Sequence, residues 1–244
     1  MSDGVFDASV APGYDRDVAH MFAPEVLGPT VDFLAGLAGD GRALEFAVGT
    51  GRVALALRER GVDVAGIELS TAMVDQLRAK PGGRDMEVAI GDMTTTRVAG
   101  EFSLVYLVFN TIGNLLTQEE QVQCFINAAA HLAPGGAFVI ELGVPQLRRL
   151  TPGERYVAFN VTDGYAGVDE YDVVTQRLTS HHFTIEPDGS GSEFTTPQRY
   201  VWPSELDLMA RIAGLEPTER WADWHRSPFT AESESHVSVW VKPS

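Results

Sequence analysis

The sequence predicts an α/β protein: a doubly wound sheet of seven strands with helices on both faces, carrying an antiparallel β insertion late in the chain. Two observations predict the sheet. Up to residue 142, short apolar strands alternate with helical periods, which is the signature of parallel strands joined by crossover helices. The run Phe102-Ser-Leu-Val-Tyr-Leu-Val-Phe109 is apolar throughout, as a central parallel strand buried on both faces must be. A third observation predicts the insertion: from 143 to 202 the period changes to β-rich pieces separated by turn residues.

In chain order, residues 1–28 are polar and punctuated by proline, with Tyr14-Asp15 ahead of a helical period through Met21, Phe22 and Val26. Residues 30–38 read as an apolar helix ending at Gly39-Asp40-Gly41. Arg42–Phe46 is a first strand, and it runs into a glycine loop and a helix that starts near Arg52 and closes at Gly61. Val62–Glu68 is a second strand, and Ser70 is a good N-cap for a helix carrying Met73, Val74 and Leu77. Met86–Ile90 is a third strand, and Phe102–Phe109 the fourth. Thr117-Gln-Glu-Glu120 is a capping box for a helix with Val122, Phe125, Ile126, Ala129 and Leu132 on its apolar face. Ala133-Pro-Gly-Gly136 stops that helix, and Ala137–Leu142 is the fifth strand. The insertion holds strands at Tyr156–Thr162, Val168–Val174, Arg177–Ile185 and Thr195–Trp202, with turns at Asp163-Gly164 and Pro187-Asp188-Gly189. A helix from Pro203 to Gly214 and strands at Leu215–Trp221 and His236–Lys242 complete the chain.

With 244 residues, 44% apolar and 21% charged, this is an ordinary globular composition for one domain with an insertion. A net charge of −16 and no Lys/Arg cluster exclude a nucleic-acid partner. The start, Met1 to Asp7, lacks the basic and apolar regions of a secretion signal, and no apolar stretch is long enough to span a bilayer. The single Cys124, inside a helix, excludes an internal disulfide and fits a reducing cytoplasm. No Cys/His cluster has metal-ligand spacing, so no metal is expected.

The chemistry begins at Glu45-Phe-Ala47-Val-Gly49-Thr-Gly51. Glycines here let the chain turn sharply and let a flat ligand approach the backbone. Read with Glu68 at the next strand end, the loop also resembles a dinucleotide fingerprint. A carboxylate just ahead of a pyrophosphate cradle, with Arg52 as the only nearby base, opposes that ligand electrostatically. A nucleoside without phosphates and with an ammonium fits better.

These motifs together resemble the class I S-adenosylmethionine-dependent methyltransferases. The family's acid-x-Gly-x-Gly-x-Gly appears with Ala47 in place of the first glycine, its acid after strand two is Glu68, and its third motif is Gly91-Asp92-Met93. The run Leu132–Ile140 matches its lead-in to strand five. The resemblance implies a Rossmann-like sheet with a reversed C-terminal hairpin and S-adenosylmethionine as cofactor. It places Glu45, Ala47, Gly49 and Gly51 at the methionine end, Glu68 and Leu69 at the ribose, and Gly91, Asp92 and Met93 at the adenine. Tyr14, Met73, Phe109 and Asn110 are further cofactor contacts by the same resemblance, Phe109-Asn110 standing where the family puts its methyl-acceptor edge.

The insertion also resembles that of antibiotic-pathway sugar-amine N,N-dimethyltransferases. The C-terminal helix and tail resemble those of a peptide α-N-methyltransferase of the cypemycin type. The expected architecture is therefore a cofactor domain at 1–142 and 203–244, with 1–28 as an N-terminal lid segment, and 143–202 as an acceptor-side cap. The expected reaction is methylation of a small-molecule or peptide amine, or a hydroxyl, in specialised metabolism, by a monomer or homodimer. No spacing singles out a base: Tyr14, His20, His181, His182 and, near the tail, His225 are the candidates, with His181 and His182 on opposite faces of their strand. Tyr165, Arg199, Tyr200 and Trp202 are candidate acceptor contacts. The alternatives are an NAD-dependent oxidoreductase and a non-catalytic S-adenosylmethionine-binding protein.

Overall fold

The computed structural model describes residues 8–185 and 188–244; Met1–Asp7, read above for a leader, and Pro187 of the predicted turn lie outside the described residues. Strands β1 (Ala43–Phe46), β2 (Val64–Glu68), β3 (Val88–Ile90), β4 (Phe102–Leu107) and β5 (Leu132–Gly143) precede the insertion. The insertion contributes β6 (Tyr156–Thr162), β7 (Tyr165–Asp172), β8 (Arg177–Ile185) and β9 (Gly191–Arg199), and the chain ends with β10 (Glu216–Trp221) and β11 (Ser235–Val241). The main sheet has seven strands in the order β10-β11-β5-β4-β1-β2-β3. β1 to β5 run parallel, and β11 enters antiparallel to β5 and pairs with β10 as a reversed hairpin. The fold is Rossmann-like, as expected.

Alternation along each strand builds two cores. Leu44, Phe46, Val105, Leu107, Phe138 and Ile140 pack on one face beneath α5 (Gln118–His131) and α6 (Pro203–Ile212). Ala43, Leu104, Tyr106, Val139 and Val237 pack on the other, beneath α2 (Pro24–Ala38), α3 (Arg52–Glu59) and Leu77 of α4 (Thr71–Ala79). The predicted capping box at Thr117 and Glu120 forms, and the Ser70 hydroxyl caps α4 by accepting from the Met73 N–H. Cys124 is fully buried in the first core, and burial pushes its thiol upward, so it is a packing residue.

Several boundaries move. The N-terminal segment forms α1 (Ala11–Asp17) and a 3-10 turn at Ala19–Phe22, and α2 starts at Pro24 instead of residue 30. Gly28-Pro29 reads as a breaker, yet the helix runs through it. Proline forgoes one backbone bond, and the burial of Thr30, Val31, Phe33 and Leu34 outweighs that loss. β4 ends at Leu107, because Phe109 and Asn110 both take left-handed φ angles of 59° and 61°. β5 begins at Leu132, ahead of the predicted Ala137, because Leu132 already pairs with Phe102. Within the insertion, the second and fourth strands start earlier than predicted, at Tyr165 and Gly191, as partners in a continuous antiparallel register. His131 does not answer its helix dipole as a cation. Burial pushes its pKa down, and its Nε2 accepts the Val98 N–H at 3.0 Å.

The insertion is a separate four-stranded sheet in the order β6-β7-β8-β9. A charged bracket ties it to the main body, beside a bond from the Arg177 guanidinium to the Leu116 carbonyl at 2.6 Å. Arg199, 5% exposed, donates to Glu205 Oε1 at 2.7 Å, to Gln176 Oε1 at 2.8 Å and to Gln121 Oε1. Gln121 of α5 returns a bond from its Nε2 to the Arg199 carbonyl.

Candidate active site

The strand order reverses between β1 and β4, and the carboxyl ends of those strands open a crevice at that switch point. The glycine loop leaves β1 there. Ala47, Gly49 and Gly51 take φ angles of 52°, 57° and 81°. A Cβ on Gly51 would meet Leu55 and Leu77 at 3.0 Å, so close packing as well as conformation requires glycine. Ala47, where the family resemblance expects glycine, carries left-handed strain worth about 1–2 kcal/mol.

The two acids of the loop are enclosed. Glu45 is 3% exposed; its Oε2 accepts the Tyr106 hydroxyl at 2.9 Å, and its carboxyl also accepts the Ala54 N–H in the first turn of α3. Burial pushes its pKa up to about 8, against the pull of the Tyr106 hydroxyl and the nearby Arg52. Glu68, 7% exposed, accepts the Gly49 N–H at Oε2 (2.8 Å) and the Ser70 N–H at Oε1 (2.9 Å). Burial raises its pKa while those backbone bonds oppose the rise. The bond from Gly49 bears on the ligand class: it occupies with a carboxylate an N–H that a pyrophosphate would need.

Glu68→Ala is expected to strand the Gly49 and Ser70 N–H groups and to lose any acceptor for ribose hydroxyls. Cofactor affinity then falls by roughly 1–3 kcal/mol; unchanged affinity by calorimetry would remove Glu68 from the site.

The predicted adenine side is only partly open. Asp92 Oδ1 accepts from both the Thr94 N–H and hydroxyl at 2.7 Å, leaving Oδ2 without a hydrogen bond among the described residues. Met93 is 1% exposed and packed in the core, so its side chain presents no surface to a ring. Leu69 is half-buried beside Glu68, and Met73, 3% exposed, lies under Gly49. Gly91, at the end of β3, has its α-carbon against Thr96.

The N-terminal segment covers the loop. Tyr14 on α1 is half-buried, and burial raises its pKa, with Arg52, Asp15, Glu68 and Glu45 all near enough to act on it. Asp15 accepts the Thr50 hydroxyl at 2.6 Å and pairs with Lys80, whose ammonium also donates to the Thr50 carbonyl and lies over the Phe22 ring. Asp15 stands in the sequence beside Tyr14, but its pairing with Lys80 is not legible there, since that contact joins α1 to the end of α4.

On the opposite side of the crevice, the Arg52 guanidinium lies 5.4 Å from the Phe109 ring. Asn110 Oδ1 accepts the Gly143 N–H at 2.7 Å, and Glu141 Oε2 accepts the Phe109 N–H at 2.9 Å. Glu141 escaped sequence reasoning, although a lone acid within Phe138-Val-Ile-Glu141-Leu was a signal available there.

The remaining candidates are dispersed. His20 is exposed on the 3-10 turn. His181 faces Glu193 and Glu170, whose hydrogen bonds raise its pKa. His182, on the other face of β8, meets the Tyr165 hydroxyl at 2.7 Å, and burial lowers its pKa. Of the four predicted acceptor contacts, Arg199 is the structural bracket, Tyr200 packs on Tyr171, Trp202 precedes α6, and Tyr165 bonds to His182. No group of His, Cys, Asp and Glu among the described residues is arranged to hold a metal, and no described helix is long and apolar enough to cross a membrane.

Comparison with known proteins bears on the family and the fold. The family profile described as a methyltransferase domain matches residues 43–136. The solved CcbJ methyltransferase of Streptomyces caelestis is similar over 100% of both chains, with 35% identity and a TM-score of 0.87. The cypemycin N-terminal methyltransferase of a Streptomyces species is 29% identical over 252 residues, 98% of each chain. A dTDP-3-amino-3,4,6-trideoxy-α-D-glucopyranose N,N-dimethyltransferase of Streptomyces venezuelae is 36% identical over 98 residues, 40% of each chain. None of these relatives supports the dinucleotide reading. The methyltransferase-domain match and the full-length likeness to the CcbJ enzyme, on this Rossmann-like sheet, make the chain a member of the S-adenosylmethionine-dependent methyltransferases.

Proposed function

We propose that the protein transfers the methyl group of S-adenosylmethionine to the nitrogen of a small-molecule or peptide amine in specialised metabolism. The observation that carries the choice of nitrogen is the dispersal of the histidines. His131 and His236 are buried in the body, His181 and His182 lie on the insertion, His20 is exposed on the N-terminal segment, and His225 is exposed in the connection between β10 and β11. A hydroxyl acceptor gains most from a positioned base, whereas an amine needs only to arrive deprotonated and in line with the sulfonium carbon. The activities named for two relatives, at a peptide N-terminus and at a sugar amine, support the same choice.

In this reading the cofactor's methionine end lies against Ala47, Gly49 and Gly51 with Glu45 beneath. Glu68 and Leu69 hold the ribose, and Gly91 and Asp92 the adenine edge. The segment 8–28 closes over the cofactor through Tyr14, and the sheet at 143–202 caps the acceptor. S-Adenosylmethionine supplies an activated methyl, so the chain's own contribution is alignment and exclusion of water. The acidic surface fits cationic acceptors and no nucleic acid, and the protein works in the cytoplasm as a monomer or homodimer.

The test is incubation with S-adenosylmethionine and matched amine and hydroxyl compounds, read by mass spectrometry. The panel contains a free N-terminal peptide, an amino sugar and a cyclic secondary amine, each beside its hydroxyl counterpart. Gain of one or two methylene units on the amines alone is expected. Methylation confined to hydroxyls would reverse the choice of nitrogen, and tight binding without any turnover would favour a non-catalytic role.

A further inference from the structure

Glu141 is joined to two elements that sequence order keeps far apart. Its Oε2 accepts the Phe109 N–H at 2.9 Å and its Oε1 accepts the Trp224 Nε1–H at 3.0 Å. Phe109 and Asn110 are consecutive non-glycine residues in the left-handed region, an arrangement that persists only where its surroundings hold it. Two bonds from β5 do so: the Glu141 carboxylate on residue 109, and the Gly143 N–H on the Asn110 side chain. The result turns the Phe109 ring, 37% exposed, out beneath the Arg52 guanidinium beside the glycine loop. Trp224, in the connection between β10 and β11, is fixed from its other side by an edge contact with Phe33 of α2. Both carboxylate oxygens are therefore engaged by N–H donors, one from the crevice and one from the C-terminal hairpin.

We propose that Glu141 is a positioning residue for methyl transfer, holding the Phe109-Asn110 turn and Trp224 as one wall of the acceptor entrance. The proposal rests on the reading that acceptors approach at the end of β4. Charge-assisted bonds of this kind are short and directional, and an amide cannot replace the carboxylate here. A glutamine has one acceptor oxygen for two N–H donors, and its own NH2 would face the second of them. The wall would also make the β10–β11 connection a determinant of acceptor choice, independent of the β insertion.

The experiment compares wild type with Glu141→Gln and Trp224→Phe, using Glu219→Gln as control. Glu219 accepts the Trp221 Nε1–H at 2.7 Å and so offers the same bond away from the crevice. On whichever amine of the panel wild type methylates, Glu141→Gln should lower kcat by about tenfold or more. S-Adenosylmethionine affinity by calorimetry should stay within about twofold, and the control should match wild type. Trp224→Phe should alter the ranking of acceptors by KM. A fall in melting temperature with kcat and KM retained would make Glu141 a structural residue only and overturn the proposal.

A second readout needs no acceptor and separates this idea from the amine reading. The Trp224 indole N–H resonance, assigned by its loss in Trp224→Phe, should shift when S-adenosylhomocysteine saturates wild type and stay put in Glu141→Gln. An unmoved wild-type signal, or an equal shift in the variant, overturns the positioning role even if every amine in the panel is methylated. If the shift occurs but no amine is methylated, the positioning role stands and the choice of acceptor fails.

Discussion

Arg199→Ala is expected to destabilise the protein by about 3–5 kcal/mol, the effect of leaving a buried carboxylate without its cation. The side chain is nearly inaccessible, and its partner Glu205 is only 16% exposed, so solvent screens the pair little. The guanidinium also satisfies Gln121 and Gln176, which belong to α5 and to the β7–β8 turn. Glu205 answers with a carboxylate held below its usual range by bonds from Gln176, Arg199 and Gln118, against the opposing effect of burial. Loss of Arg199 therefore unpins the insertion from two helices at once. Chemical denaturation should show the lost stability, and limited proteolysis should cut first between residues 144 and 202. Affinity for S-adenosylmethionine should change little, because no residue of the bracket belongs to the glycine loop. If cofactor binding collapsed together with stability, the insertion and the cofactor domain would have to be regarded as one folding unit.

Glu45→Gln should make the cofactor-free protein more stable and its cofactor binding weaker. Burial holds the Glu45 proton far more tightly in the folded chain than in the unfolded one, with a folded pKa of about 8 against an ordinary 4.5. The stabilising difference is complete below 4.5 and disappears as pH climbs to about 8, because the unfolded chain releases the proton first. Wild-type stability should thus decline across that window with a slope approaching about 1.4 kcal/mol per pH unit from this residue alone. Glutamine, which resembles the protonated acid, removes the slope, so the gap between variant and wild type widens as pH rises. A cationic ligand acts in the opposite direction: by favouring the carboxylate, binding of S-adenosylmethionine should release a proton, measurable as a buffer-dependent enthalpy. Parallel thermal-melt curves for the two proteins from about pH 5 to about pH 8 would show that Glu45 titrates normally and is not enclosed as described.

The sheet was legible in the sequence because its signals are local. Strand-length apolar runs, a capping box at Thr117-Gln-Glu-Glu120 and a glycine bend after Glu45 each act through neighbours a few residues apart. The acids Glu45, Glu68 and Asp92 could be singled out for the same reason, since each stands at or just beyond the end of a strand in a recognisable motif. Where local rules conflicted with packing, packing prevailed. Gly28-Pro29 failed to break α2 because that helix buries one side against the sheet. Phe109 failed to extend β4 because bonds from β5 hold it in a turn that its own preference disfavours.

By itself the sequence determined the element order, the ligand class suited to an acidic glycine loop and the strand ends where contacts would gather. Only the tertiary structure decided that Glu45 lies enclosed and proton-retaining, that Met93 faces the core, that Arg199 is a bracket and that Glu141 joins Phe109 to Trp224. The physical reason is range. Backbone preferences and periodicity act over a few residues, while burial, ion pairing and shared hydrogen bonds depend on groups that only the finished fold brings into contact.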